Sequence, residues 1–148
     1  MKRSRRSFLK LAGTAVALSM VPLKLLADFV RPKEAMAATD FDGVFASLGN
    51  AQDSDKIMLE TPDIAENGAV VPVAVTSSIA GTSKIYIVVE KNPNPLAAAF
   101  MIPEGSEAFV QTRVKVAQTC PIYAVVEAGG KLYKTGRETK VTLGGCGG

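Results

Sequence analysis

From Ile57 onward, apolar residues recur at every second position in short runs, and nearly every run is closed by Gly, Pro or Asn. That period puts successive side chains on opposite faces, which is the geometry of a strand and not of a helix. Ile57 to Glu60 is a first short strand, ended by Thr61-Pro62. Asn67-Gly68 is a turn signal before Ala69 to Ser77, where Val71, Val73 and Val75 share a face and Pro72 argues for an edge or a bulge. In Lys84 to Glu90, Ile85, Ile87 and Val89 face one way and Tyr86 and Val88 the other. Asn92-Pro93-Asn94-Pro95 reads as a loop, Leu96 to Ile102 as a buried strand, and Pro103 to Ser106 as a turn. Ala108 to Val116 alternates again, with Gln111, Arg113 and Lys115 on the polar side. Ile122 to Glu127, Gly129-Gly130 and Lys131 to Lys134 form a hairpin, and Lys140 to Leu143 is the last strand. Seven or eight short strands predict an all-β fold, an immunoglobulin-like antiparallel β-sandwich, with a small barrel as the alternative.

One short helix precedes the strands. Phe41, Val44, Phe45 and Leu48 fall on one face at helical spacing, Thr39 or Asp40 can cap the start, and Gly49 can end it. The apolar stripe docks either on the domain or on a partner. Asn50 to Lys56 reads as a polar linker.

The two termini are of a different kind. The chain ends Gly144-Gly145-Cys146-Gly147-Gly148. Four glycines have no side chains to bury and lose more backbone freedom on ordering than any other residue, so a flexible arm carrying one thiol is expected. An extended chain carries that sulfur on the order of 10 Å beyond Leu143. At the other terminus, Ser4 to Lys10 contains Arg5-Arg6 followed by Phe8-Leu9-Lys10, a twin-arginine export signal. The apolar stretch from Leu11 to Val30 is interrupted by Pro22 and Lys24, which argues against a permanent membrane span. Ala35-Met36-Ala37 is a small-x-small cleavage site. The expected organisation is a cleaved signal over 1–37, a sandwich over 38–143 and an arm over 144–148, with the mature protein exported folded to the periplasm.

Cleavage reverses the charge. The precursor holds 17 basic and 14 acidic side chains, net +3, and the signal takes eight of the basic and two of the acidic ones. The mature 111 residues are left at net −3, with no basic patch for nucleic acid or for a membrane surface. There is no His and no Trp. That excludes Ser-His and Cys-His pairs, imidazole metal sites and His-ligated haem, and two cysteines do not make a usual zinc site. The Asp53-Ser54-Asp55 run lacks the Gly and Glu of a calcium loop, and no glycine-rich phosphate loop is present. No cofactor is expected.

The ending Lys140-Val141-Thr142-Leu143-Gly144-Gly145-Cys146-Gly147-Gly148 resembles the carboxyl terminus of the SoxY family, sulfur-carrier subunits of bacterial thiosulfate-oxidising (Sox) systems. The stretches from Pro62 to Val73 and from Glu90 to Ala98 are similar to that family too, and the export signal fits it. The resemblance implies a heterodimer with SoxZ, a β-sandwich subunit without its own signal, which would cross the membrane with this chain. It implies that the haem-containing SoxXA couples thiosulfate oxidatively to the tail cysteine. The dimanganese hydrolase SoxB then releases sulfate and leaves a persulfide, and a sulfane dehydrogenase, where present, oxidises the remaining sulfur. Carried onto this chain, the attachment point is Cys146, and Gly144, Gly145, Gly147 and Gly148 are its swivel. The chain is then a carrier and not an enzyme.

The residues themselves leave other readings open. No His, Lys or Arg lies within five residues of Cys146, so the thiol has little local activation and its partners must supply it. Cys120, in Thr119-Cys120-Pro121, reads as a small buried apolar residue, but a disulfide to Cys146 is the bland alternative in an exported chain. A thiol oxidoreductase would want Cys-x-x-Cys or a nearby base, and neither is present. A purely structural sandwich, or a homodimer joined through the tail thiols, completes the alternatives.

Overall fold

The computed structural model describes residues 31–142. The twin-arginine pair Arg5 and Arg6, the apolar stretch after it, and the tail Gly144, Gly145, Cys146, Gly147 and Gly148 lie outside the described residues.

Two sheets face each other. The larger runs β1 (Ala51–Asp53), β9 (Lys131–Val141), β8 (Cys120–Ala128), β5 (Thr82–Val89) and β6 (Leu96–Met101), with β3 (Ile64–Ala65) sharing the β1 edge of β9. The smaller runs β2 (Ile57–Glu60), β4 (Val71–Ser77) and β7 (Phe109–Val114). Neither sheet closes on itself, so the fold is an immunoglobulin-like sandwich and not a barrel. Most pairings are antiparallel, but β1 and β3 both run parallel to β9.

Alternation along β5 builds two cores. Ile85, Ile87 and Val89 join Val71, Val73, Val75, Ile122, Ala124 and Val126 between the sheets. Tyr86 and Val88 face the other way, into a second cluster under two short helices, α1 (Lys33–Ala37) and α2 (Phe41–Leu48). The side chain of Asp40 caps α2 by accepting from Gly43 N–H at 2.7 Å, and Gly49 ends it at φ 111°. The α2 stripe is therefore spent on this domain, with Val44 fully buried. The valine faces of the strands likewise turn inward.

Four features depart from the sequence expectation. Asn50 to Lys56 is not only a linker, since Ala51–Asp53 pairs with Leu132–Lys134 through backbone bonds that leave no side-chain signature. Leu96–Met101 is a strand, but it stands at the sheet edge and only Leu96 within it is buried. Pro72 lies on the middle strand of its sheet, yet β2 stops opposite Ala74, so on that side the proline faces no ladder. The two expected strands after Gly130 are one 11-residue strand. Gly136 does not interrupt it, because the glycine answers to packing: a Cβ there would lie 2.6 Å from the Tyr123 ring. The hairpin itself forms as expected, with Gly129 and Gly130 at φ 57° and 73°.

Candidate functional site

The expected reactive residue, Cys146, follows β9, so the described part of the site is the end of the sandwich from which the tail departs. Three bonds fix that end of β9. Lys140 N–H donates to Asp63 O at 2.9 Å, Thr142 N–H to Ala65 O at 3.2 Å, and Val141 N–H to Thr119 Oγ1 at 3.0 Å. β3 exists because of the first two. Its two residues carry no strand pattern of their own and are held by their backbone against Lys140 and Val141.

The segment after β3 is tied in as tightly. Val116 N–H donates to Gly68 O at 2.6 Å, and a Cβ on Gly68 would lie 2.5 Å from Val116 O and 2.9 Å from Val141 Cγ1. Behind it, the Asn92 side chain bridges the loop after β7, donating to Lys115 O at 2.7 Å and accepting from Ala117 N–H at 2.9 Å. Between the sheets, the hydroxyls of Thr61 and Thr139 meet at 3.0 Å, both buried. On the surface Arg137 Nη2 lies 2.7 Å from Asp63 Oδ1. The last described residue before the tail thus leaves from a base held on three sides.

Cys120 begins β8 opposite Thr139, two residues short of Val141. It is 1% exposed and packs in the inter-sheet core as a free thiol. Burial pushes its pKa up; backbone N–H groups of Lys91 and Glu90 pull the other way, while the Glu90 carboxylate adds to the rise. In this place the residue is an apolar filler and a poor nucleophile. Tyr123, whose hydroxyl donates to Glu90 Oε2 at 3.2 Å, is also raised, first by burial and then by Glu90.

An open cleft of about 700 Å³ lies at the opposite end, between residues 77–83 and 102–108. It is lined by Ser78, Thr82, Ser83, Glu104 and Ser106 among others, with no thiol and no base arranged as a catalytic pair. Among the described residues no three His, Cys, Asp or Glu side chains gather as a metal site requires.

The chain matches the family model for the sulfur oxidation protein SoxY over residues 43–146. It belongs to the SoxY family. A solved structure of the sulfur carrier protein SoxY from Chlorobium limicola f thiosulfatophilum is 41% identical, covers 69% of this chain and 94% of its own, and superposes with a TM-score of 0.61. A superoxide reductase (neelaredoxin) from Ignicoccus hospitalis shares the fold alone, at 18% identity and a TM-score of 0.51 over 66% of this chain and 98% of its own. The comparison with curated proteins gave no match. The SoxY match runs through the sandwich and ends on Cys146, so the tail cysteine lies inside the family's own span.

Cys146 stands out in the sequence, whereas the loops bonded to the end of β9 do not. Ile64 and Val70, 59% and 52% exposed, flank the anchored segment and went unnoticed. Only the pairing of β3 with β9 brings that segment beside the tail.

Proposed function

We propose that this chain is a covalent carrier of sulfur intermediates in thiosulfate oxidation, with Cys146 as the attachment point. The observation that supports it most is the family match that extends to residue 146. The fold agrees. The one described thiol, Cys120, is buried, and the end of β9 that leads towards Cys146 is fixed by three bonds. As a carrier the chain works with enzymes that do the chemistry. In the first step the Cys146 thiol and thiosulfate lose two electrons to a haem partner of SoxXA type and release a proton, leaving a cysteine S-thiosulfonate. In the second, water cleaves the terminal sulfur–sulfur bond in a SoxB-type hydrolase, giving sulfate, a proton and the persulfide. A SoxZ-type subunit is the expected partner in a heterodimer, and the periplasm the expected compartment. Processing after Ala37 would remove α1, whose Ala35 is fully buried against the second cluster. That helix must undock before a peptidase can engage the bond.

Intact mass of the mature protein from thiosulfate-fed cells, with and without reductant, tests the reading. The expected result is reductant-sensitive sulfur and thiosulfate adducts that vanish in Cys146→Ser. A fixed loss of two hydrogens mapping to Cys120 and Cys146, without adducts, would overturn it.

A further inference from the structure

Large apolar side chains that stand more than two-fifths exposed are few among the described residues: Met36, Met58, Ile64, Val70, Met101 and Phe109. Two of them, Ile64 and Val70, fall within one seven-residue stretch. That stretch is held to the end of β9 by Ala65 O and, just before it, by Asp63 O, while Gly68 O accepts from Val116 N–H after β7. It is not loose: Gly68 is jammed between Val116 and Val141, and Asn67 closes the turn by accepting from Ala69 N–H at 3.0 Å. Two apolar side chains are therefore held to the solvent on a rigid loop at the root of the tail. A rigid exposed apolar pair needs a reason that a floppy one does not.

The length of chain beyond the described residues supplies one. Four residues separate Thr142 from Cys146, and a fully extended chain spans about 3.3–3.6 Å per residue, so the cysteine is at most about 14 Å from Thr142. An enzyme whose reacting atoms lie at the bottom of a channel can meet Cys146 only if the channel mouth comes down on the surface around Thr142. Whatever rims that mouth must then touch residues 63–70.

We propose that Ile64 and Val70 form a docking collar for the sulfur-processing enzymes, seated against an apolar rim around the mouth of a recessed active site. The inference rests on the carrier reading of Cys146. Its neighbours fit such a contact: Lys140, Glu66 and the Asp63–Arg137 pair supply a mixed-charge surround to an apolar centre, the usual arrangement of a transient interface. Because both side chains are at the root and not on the tail, the collar would act on any enzyme that takes the tail, whatever adduct it carries.

The test uses the full chain in thiosulfate-oxidising cells, with the double variant Ile64→Ser/Val70→Ser and, as a control, Met58→Ser/Phe109→Ser on the outer face of the small sheet. Three readings are taken: the fraction of Cys146 bearing reductant-sensitive adducts, the rate at which iodoacetamide alkylates Cys146 in the purified protein, and the oligomeric state. The expected result is an adduct fraction at least tenfold lower in the Ile64/Val70 variant, with alkylation rate and oligomeric state unchanged and the control like wild type. Unchanged adducts in the Ile64/Val70 variant, or an equal loss in the control, would overturn the collar. So would a change of oligomeric state, which would make the patch a subunit interface. Absence of adducts from wild type itself would instead bring down the carrier reading, and the collar with it.

Discussion

At one end of the sandwich Gly81, Gly105, Gly129 and Gly130 all have positive φ, and a Cβ added to any of them would meet nothing within 4 Å. At the other end Gly68 lacks that conformation, and its missing Cβ leaves room for Val116 O and Val141. The first set is glycine because the backbone turns sharply in open solvent; the second is glycine because two segments are pressed together. At the far end the four glycines turn in the open, whereas at the tail end Gly68 sits where segments meet, its oxygen bonded to Val116 N–H and its α-carbon against Val141.

Asparagine separates the two uses of glycine, since it tolerates left-handed backbone but brings a full side chain. Gly105→Asn should change stability by a few tenths of a kcal/mol. Gly68→Asn overpacks a contact already at 2.5 Å and should cost about 1–3 kcal/mol. For a domain of this size the latter is a fall in Tm on the order of 10 °C in a thermal melt. Equal shifts at the two sites would erase the distinction between the ends.

The tail end is also where the sheets are stitched by neutral hydroxyls. Thr139→Val leaves the buried Thr61 hydroxyl without its partner at 3.0 Å and should cost about 1–3 kcal/mol; Thr61→Val does the same from the other side. The double variant Thr61→Val/Thr139→Val should cost no more than either single change, because no orphaned hydroxyl remains. Chemical denaturation of the three variants gives the coupling directly. Strict additivity would mean that the two hydroxyls do not depend on each other.

How far the sequence could be read depends on whether the cause of a feature is local. The far-end turns were legible, because Gly129-Gly130 between alternating runs is a local signal and the hairpin forms there. So were α2 with its Asp40 cap and the two-faced pattern of β5. The two short strands that run parallel to β9, one near each of its ends, were not. Ala51–Asp53 and Ile64–Ala65 are strands only because β9 offers its backbone, and backbone pairing with a distant partner leaves no trace in side-chain period. Gly136 lies in the gap between the two expected strands, and its reason, the Tyr123 ring, is on another strand. Of the candidate site, Cys146 is proposed from its glycine-flanked place in the sequence, while the exposure of Ile64 and Val70 next to the end of β9 needs the pairing of β3 with β9.

The two halves differ in one more respect: the ion pair at the tail end, Arg137 with Asp63, is exposed, whereas that of the far half, Lys84 with Glu127, is part-buried. The Tyr86 hydroxyl donates to Glu127 Oε2 at 3.2 Å, and Lys84 Nζ lies 3.2 Å from the same oxygen. Burial, with the Glu127 charge and hydrogen bond adding to it, pushes Tyr86 from 10.0 up to about 12. The folded state therefore holds this proton more tightly than the unfolded chain does. The resulting stability is whole below pH 10 and is lost as the pH rises from 10 towards about 12, where the unfolded tyrosine is ionised and the folded one is not. Tyr86→Phe removes that dependence. Its stability relative to wild type should be flat up to pH 10 and then improve with a slope approaching about 1.4 kcal/mol per pH unit, the value for one proton. Taking the difference between the two proteins cancels the alkaline behaviour of Tyr123 and Cys120, which both retain. Parallel curves through pH 12 would mean that Tyr86 ionises as freely in the fold as out of it, and that its part-buried contact with Glu127 holds the proton no better than solvent does.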